Sequence, residues 1–167
     1  MTCPFTAKAA LYMERTADWT TVSPLTTIGL WNQGLAEISE DVVRLDRLDK
    51  DHFRLACTRR IERHLVSVVT NATCFLRDLG VEDPAAAFVA EWERAAVKHP
   101  GMTLDADGHT DETRFYALAE EVGEVAASLT YDNAQGTGHG ADTIAEVTQV
   151  GALALAWLTR YQDGEED

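Results

Sequence analysis

The chain has 167 residues, 46% of them hydrophobic and 25% charged, which suits one globular domain with a real core. A net charge of −14 argues against nucleic acid polymers and anionic membrane as main partners, because both call for cationic surface, yet it suits a divalent-cation site. No apolar run reaches the length of a membrane-spanning helix, and the start MTCPFTAKAALYMERTADW lacks the basic opening and long apolar core of a signal peptide.

Residues 1–24 read as an N-terminal arm whose weak helical pattern (Ala9, Leu11, Tyr12) either docks or frays. Ser23-Pro24 is a cap followed by proline, so a first long helix is expected over about Leu25–Leu48, with Leu25, Ile28, Leu35, Ile38, Val42 and Leu45 as its apolar stripe. A break at Asp49-Lys50-Asp51 leads to a second helix, about His52–Leu79, rich enough in Leu, Val and Phe to be central, with Gly80 as its C-terminal cap. Asp83 caps a third helix over Pro84–Lys98, which His99-Pro100-Gly101 ends. A polar loop over 99–111 follows. Thr110 or Asp111 then caps a fourth helix to about Leu129. The connection Tyr131–Gly140 carries three glycines and reads as mobile. Asp142 or its neighbour starts a fifth helix ending near Tyr161, and the acidic tail 163–167 reads as disordered. No strand-like alternation competes. The expectation is an all-α helical bundle of about five helices: a helical half over 25–98, then a helical hairpin over 99–162.

Chemistry concentrates on that hairpin. In LAEEVGEVAASL, Glu120 and Glu124 stack one turn apart, and Glu121 lies three residues before Glu124 on a shared face. Ionised carboxylates so placed repel, and a shared cation removes the cost. On the fifth helix Glu146 and Gln149 sit among Ile144, Val147, Val150, Leu153, Leu155, Trp157 and Leu158. A carboxylate in such apolar company is expected to be paired, protonated or metal-bound. The simpler reading is a solvated acidic face. The flanking Leu118, Val122 and Val125 favour partial burial and a metal.

The pattern Glu120-Glu121-x-x-Glu124 followed by Glu146-x-x-Gln149 resembles the all-α nucleoside triphosphate pyrophosphohydrolases, the MazG-like group, whose signature is EExxE, a spacer, then ExxD. The likeness covers roughly residues 98–160. The first half matches fully. Gln149 stands where the family has Asp, so it can offer an amide oxygen but no charge. The resemblance implies that Glu121, Glu124 and Glu146, with Gln149, hold Mg²⁺ or Mn²⁺, and that Glu120 is a further ligand or the base that orients water. It implies attack at the α-phosphorus of a nucleoside triphosphate, giving monophosphate and pyrophosphate, in the service of nucleotide-pool cleansing. Lys98 and Arg114, which flank the loop before this helix, are the candidate triphosphate ligands. The contrasting expectation is a decayed helical protein of the same fold, acting as an interaction or regulatory module.

Lesser candidates have plainer readings. Asp142 could supply the carboxylate that Gln149 lacks, but a first-turn acid or cap is the simpler role. His99, His109 and His139 lack metal-ligand spacing. Trp31, Trp92 and Trp157 could stack on a base, though at helical spacing each fits a core. Cys3, Cys57 and Cys74 have no CxxC spacing and read as reduced and structural, which suggests a cytoplasmic setting. A di-iron bundle would need Glu-x-x-His pairs, and no Glu here has His three residues later. Finally, LAEISEDVVRL (35–45) resembles LAEEVGEVAASL (118–129) at an offset of 83, matching Glu37 to Glu120 and Asp41 to Glu124. Degenerate duplication and a chance likeness of amphipathic helices both account for it. The family's single-hairpin members pair as dimers to complete four-helix units. A fused chain would complete one internally, and homodimerisation stays open.

Overall fold

The computed structural model describes residues 4–15, 23–48, 50–138 and 140–162. These form α1 (Pro4–Arg15), α2 (Pro24–Arg47), α3 (Asp51–Asp78), α4 (Pro84–Lys98), α5 (Asp111–Ser128), α6 (Tyr131–Ala134) and α7 (Thr143–Gln162), with no strand among the described residues. The protein is an all-α helical bundle. The five long helices start and stop within a residue or two of their expected limits, because the chain marks them with local chemistry. Ser23 Oγ accepts the Thr26 N–H, Asp83 Oδ1 accepts the Ala86 N–H, and Thr110 Oγ1 accepts the Thr113 N–H. Each side chain satisfies a donor that the first helical turn leaves free. At the other end of α3, Gly80 takes φ 87°, and Val81 N–H reaches back to the Leu76 carbonyl at 2.9 Å.

Two helices lie beyond the five expected. The arm folds as α1 and docks, with Phe5 and Ala9 buried and Phe5 stacked on Trp92 at 5.2 Å between ring centroids. The Gly-rich connection, read as mobile, contains α6 and a clasp. Asn133 Nδ2 donates to the carbonyls of Ser128 and Ala141, and its Oδ1 accepts the Ala141 N–H. One side chain thereby closes the turn between α5 and α7. Cys3, Asp49, His139 and the tail 163–167 lie outside the described residues. Cys57 and Cys74 are free, buried thiols. No described helix is long and apolar enough to cross a membrane.

α2, α3, α7 and α5 pack in a closed ring, each against the next, and α1 and α4 lie as a second layer on α7 and α3. α7 is the common partner, touching α1, α3, α4 and α5. That explains why it is apolar nearly all round, from Val147 through Leu158. Gly151 sets how closely α4 can approach: a Cβ there would run into the buried ring of Phe88. Close seating of α4 on α7 brings a third helix to the acidic hairpin.

Candidate metal centre

The hairpin clasped by Asn133 runs α5 and α7 side by side. One carboxylate oxygen from each of Glu121, Glu124 and Glu146 lies within 4.8 Å of the others. Glu124 points outward and is exposed, while Glu121 and Glu146 are half-buried. The electrostatics follow from this crowding. Burial first, then the charges of Glu124, Glu146, Glu120 and Glu91, push the Glu121 carboxyl up to about 7. Glu146 is also raised, by burial, by the charge of Glu124, and by a hydrogen bond with Glu124 that needs one of the two acids protonated. Oε2 of Glu121 is buried without a hydrogen-bond partner. An acceptor left bare in this way costs free energy unless a proton or a cation meets it.

Gln149 lies one turn beyond Glu146 and donates its Nε2 to Glu146 Oε2 at 2.8 Å. It therefore orients a carboxylate and adds no charge. Asp142 takes the plainer of its two readings: its Oδ1 accepts the Ile144 N–H at 3.0 Å at the start of α7.

Beside the carboxylates opens a cleft of about 260 Å³ between α4, α5, α7 and the loop after α4. Glu120, Glu121 and Gln149 line one side, and Glu91, Arg94 and Lys98 line the other. Ala117, Leu153 and Ala156 give it an apolar floor. Lys98 thus stands where a phosphate could reach it. Arg114 does not. It is 4% exposed, and its guanidinium donates to the carbonyls of Leu104 and Ala106 and to Asp111. The expectation of a triphosphate ligand at Arg114 is corrected accordingly: this arginine fastens the loop 99–110 to α5, and its buried guanidinium does not line the cleft.

The aromatic and histidine candidates separate similarly. Trp31 and Trp157 are fully buried, the latter donating to Asp111 Oδ1 and Tyr161. Trp92 lines the cleft, but Phe5 covers one ring face and its Nε1 donates to Asp105. His99 lines the cleft, and His109 bonds the Met102 carbonyl.

Sequence reasoning passed over Glu91 and Arg94. Their signal lay in spacing: Phe88, Glu91, Ala95 and Lys98 recur at three and four residues. The face of α4 that buries Phe88 must therefore also turn Glu91 and Lys98 toward α7. Comparison with protein-family models, with curated proteins and with solved structures gives no match.

Proposed function

We propose that the protein is a Mg²⁺-dependent nucleoside triphosphate pyrophosphohydrolase. The observation that carries the reading is the convergence of Glu121, Glu124 and Glu146 within 4.8 Å, with a bare buried oxygen on Glu121, at the edge of a cleft that also holds cations. The donors are all hard carboxylate oxygens, which fit Mg²⁺ or Mn²⁺ rather than zinc. A bound ion of this kind neutralises phosphate charge and acidifies water.

The chain's own residues divide the remaining work. Glu121, Glu124 and Glu146 hold the ion, and Gln149 fixes the orientation of Glu146 through its amide N–H. Glu120, exposed at the cleft beside Glu121, takes the proton from the attacking water. Water oxygen joins the α-phosphorus, the bond from that phosphorus to the bridging oxygen breaks, and pyrophosphate leaves. Lys98 meets the phosphates, and the floor of Ala117, Leu153 and Ala156 excludes water beneath the substrate. The choice of α-phosphorus follows the MazG-like resemblance of the EExxE helix.

The test is Mg²⁺-dependent release of pyrophosphate from a panel of ribo- and deoxyribonucleoside triphosphates. Turnover that requires Mg²⁺ and disappears in Glu124→Gln supports the reading. A preparation inert towards every nucleotide, with no Mg²⁺ effect on melting temperature, overturns it in favour of a decayed interaction module. The observation favouring that second reading is the amide of Gln149, which ties up Glu146 where the family has a fourth acid.

A further inference from the structure

We propose that Arg94 receives the terminal phosphates of the substrate, and that Glu91 holds its guanidinium in store until they arrive. The inference rests on the cleft being a nucleotide site.

Arg94 donates from Nε to Glu91 Oε2 at 2.7 Å and from Nη2 to Oε1 at 2.5 Å, a two-pronged fit. The pair is lopsided. The Glu91 side chain is 17% exposed, whereas that of Arg94 is 54% exposed. Glu91 looks inward, and its charge reaches both Glu121 and Glu146. The guanidinium in turn feels the charge of Glu121. Arg94 therefore lines the cleft within reach of the acids' field and open to solvent, one turn before Lys98.

The chemistry of exchange favours phosphate. A guanidinium fork that matches two carboxylate oxygens matches two phosphate oxygens equally well. The arginine's half of the pair is open to solvent, so a multiply charged chain of phosphates can reach the guanidinium and compete with the single charge of Glu91. Two other arginines near the loop are placed differently: Arg114 is buried against backbone carbonyls, and Arg160, which pairs with Asp107 at 2.6 Å, does not line the cleft. Lys98 offers a point charge but no fork. Once Arg94 turns away, Glu91 is released beside a centre that Gln149 leaves one charge short. The ligand class is an oligophosphate chain, and inorganic tripolyphosphate carries that chemistry without a base.

Calorimetric titration of tripolyphosphate with Mg²⁺ into the full chain tests this, using wild type, Arg94→Ala, Arg94→Lys and Glu91→Gln. Arg94→Ala should weaken binding at least tenfold, Arg94→Lys should fall between, and Glu91→Gln, which frees the arginine, should bind as tightly as wild type or more so. A pair with a purely structural role would lower the melting temperature alike in Arg94→Ala and Glu91→Gln and leave affinity unmoved. Affinity of Arg94→Ala within twofold of wild type, or no saturable binding by wild type, overturns the inference. Nucleotide turnover measured in parallel separates the two readings. Active wild type with an unchanged KM in Arg94→Ala sinks the arginine and spares the enzyme. Inert wild type that loses tripolyphosphate on Arg94→Ala spares the arginine and sinks the enzyme.

Discussion

The α2–α3 hairpin and the α5–α7 hairpin each turn acid inward, and they treat it in opposite ways. In the first, Asp41 is 2% exposed and accepts from Arg60 Nε at 2.8 Å, from Arg60 Nη2 at 2.5 Å and from Arg44 at 3.1 Å. Burial alone would raise its pKa, but the arginine hydrogen bonds and charge outweigh burial and hold the carboxyl below its usual range. In the second, burial and the charges of Glu124, Glu146, Glu120 and Glu91 push the Glu121 carboxyl up to about 7. The first acid is neutralised by the chain's own arginines, and the second stands in the carboxylate cluster proposed above to hold a cation. The offset of 83 pairs Asp41 with Glu124, and α2 packs against α5 as α3 packs against α7.

Charge removal should break the two sites in opposite directions. The largest effect expected is on activity: Glu121→Gln or Glu124→Gln should lower Mg²⁺-dependent turnover at least about a hundredfold, roughly 3 kcal/mol of barrier, as read by pyrophosphate release. In chelator the same Glu121→Gln should raise the melting temperature, because it deletes a repelled charge. Asp41→Asn should do the reverse and destabilise by about 2–3 kcal/mol, since it leaves Arg60 facing a neutral amide; denaturant melts compare the two directly. Equal losses in both variants would erase the distinction between a finished and an unfinished site.

Acidity sharpens the same contrast. The unfolded chain releases the Glu121 proton near 4.5, whereas the folded chain keeps it to about 7. Without metal, stability should therefore fall as pH rises from 4.5 to about 7, then level off, by roughly 3 kcal/mol at most. Asp41 runs the other way: its contribution is present above the ordinary aspartate pKa and is lost as pH falls through its lowered value. Melts in chelator across this range should show the decline in wild type and a flatter curve in Glu121→Gln. Mg²⁺ at neutral pH should restore what the decline removed.

Packing comes next in size. Gly151→Ala should destabilise by about 1–3 kcal/mol, because the added methyl meets the Phe88 ring and pushes α4 off α7. If α4 supplies the cationic wall, this variant should also raise KM while the carboxylates stay in place. Stability loss with an unchanged KM would detach α4 from the site.

Much of this was legible in the chain, where local chemistry decides. Caps at Ser23, Asp83 and Thr110 and the stop at Gly80 are written within a few residues of the ends they fix. Helical spacing grouped Glu120, Glu121 and Glu124 and a hairpin brought Glu146 to face them, while the choice of Glu121, Glu124 and Glu146 as the trio came from the EExxE likeness. What escaped depended on long-range packing. Arg114 looked like any cation at a loop until the carbonyls of Leu104 and Ala106 folded over it. Glu91 and Arg94 drew no notice in the sequence, because only the seating of their helix on α7, at Gly151, brings them to the cleft. The docking of α1 through Phe5 and the Asn133 clasp likewise join partners whose meeting no periodicity announces.

The most direct test of the central claim is a calorimetric titration of Mn²⁺ into chelator-treated protein at neutral pH, repeated on Glu124→Gln. Saturable binding by wild type that the substitution abolishes is the predicted result. Identical isotherms for the two proteins, or no binding by either, would contradict the claim that these three carboxylates share a metal ion.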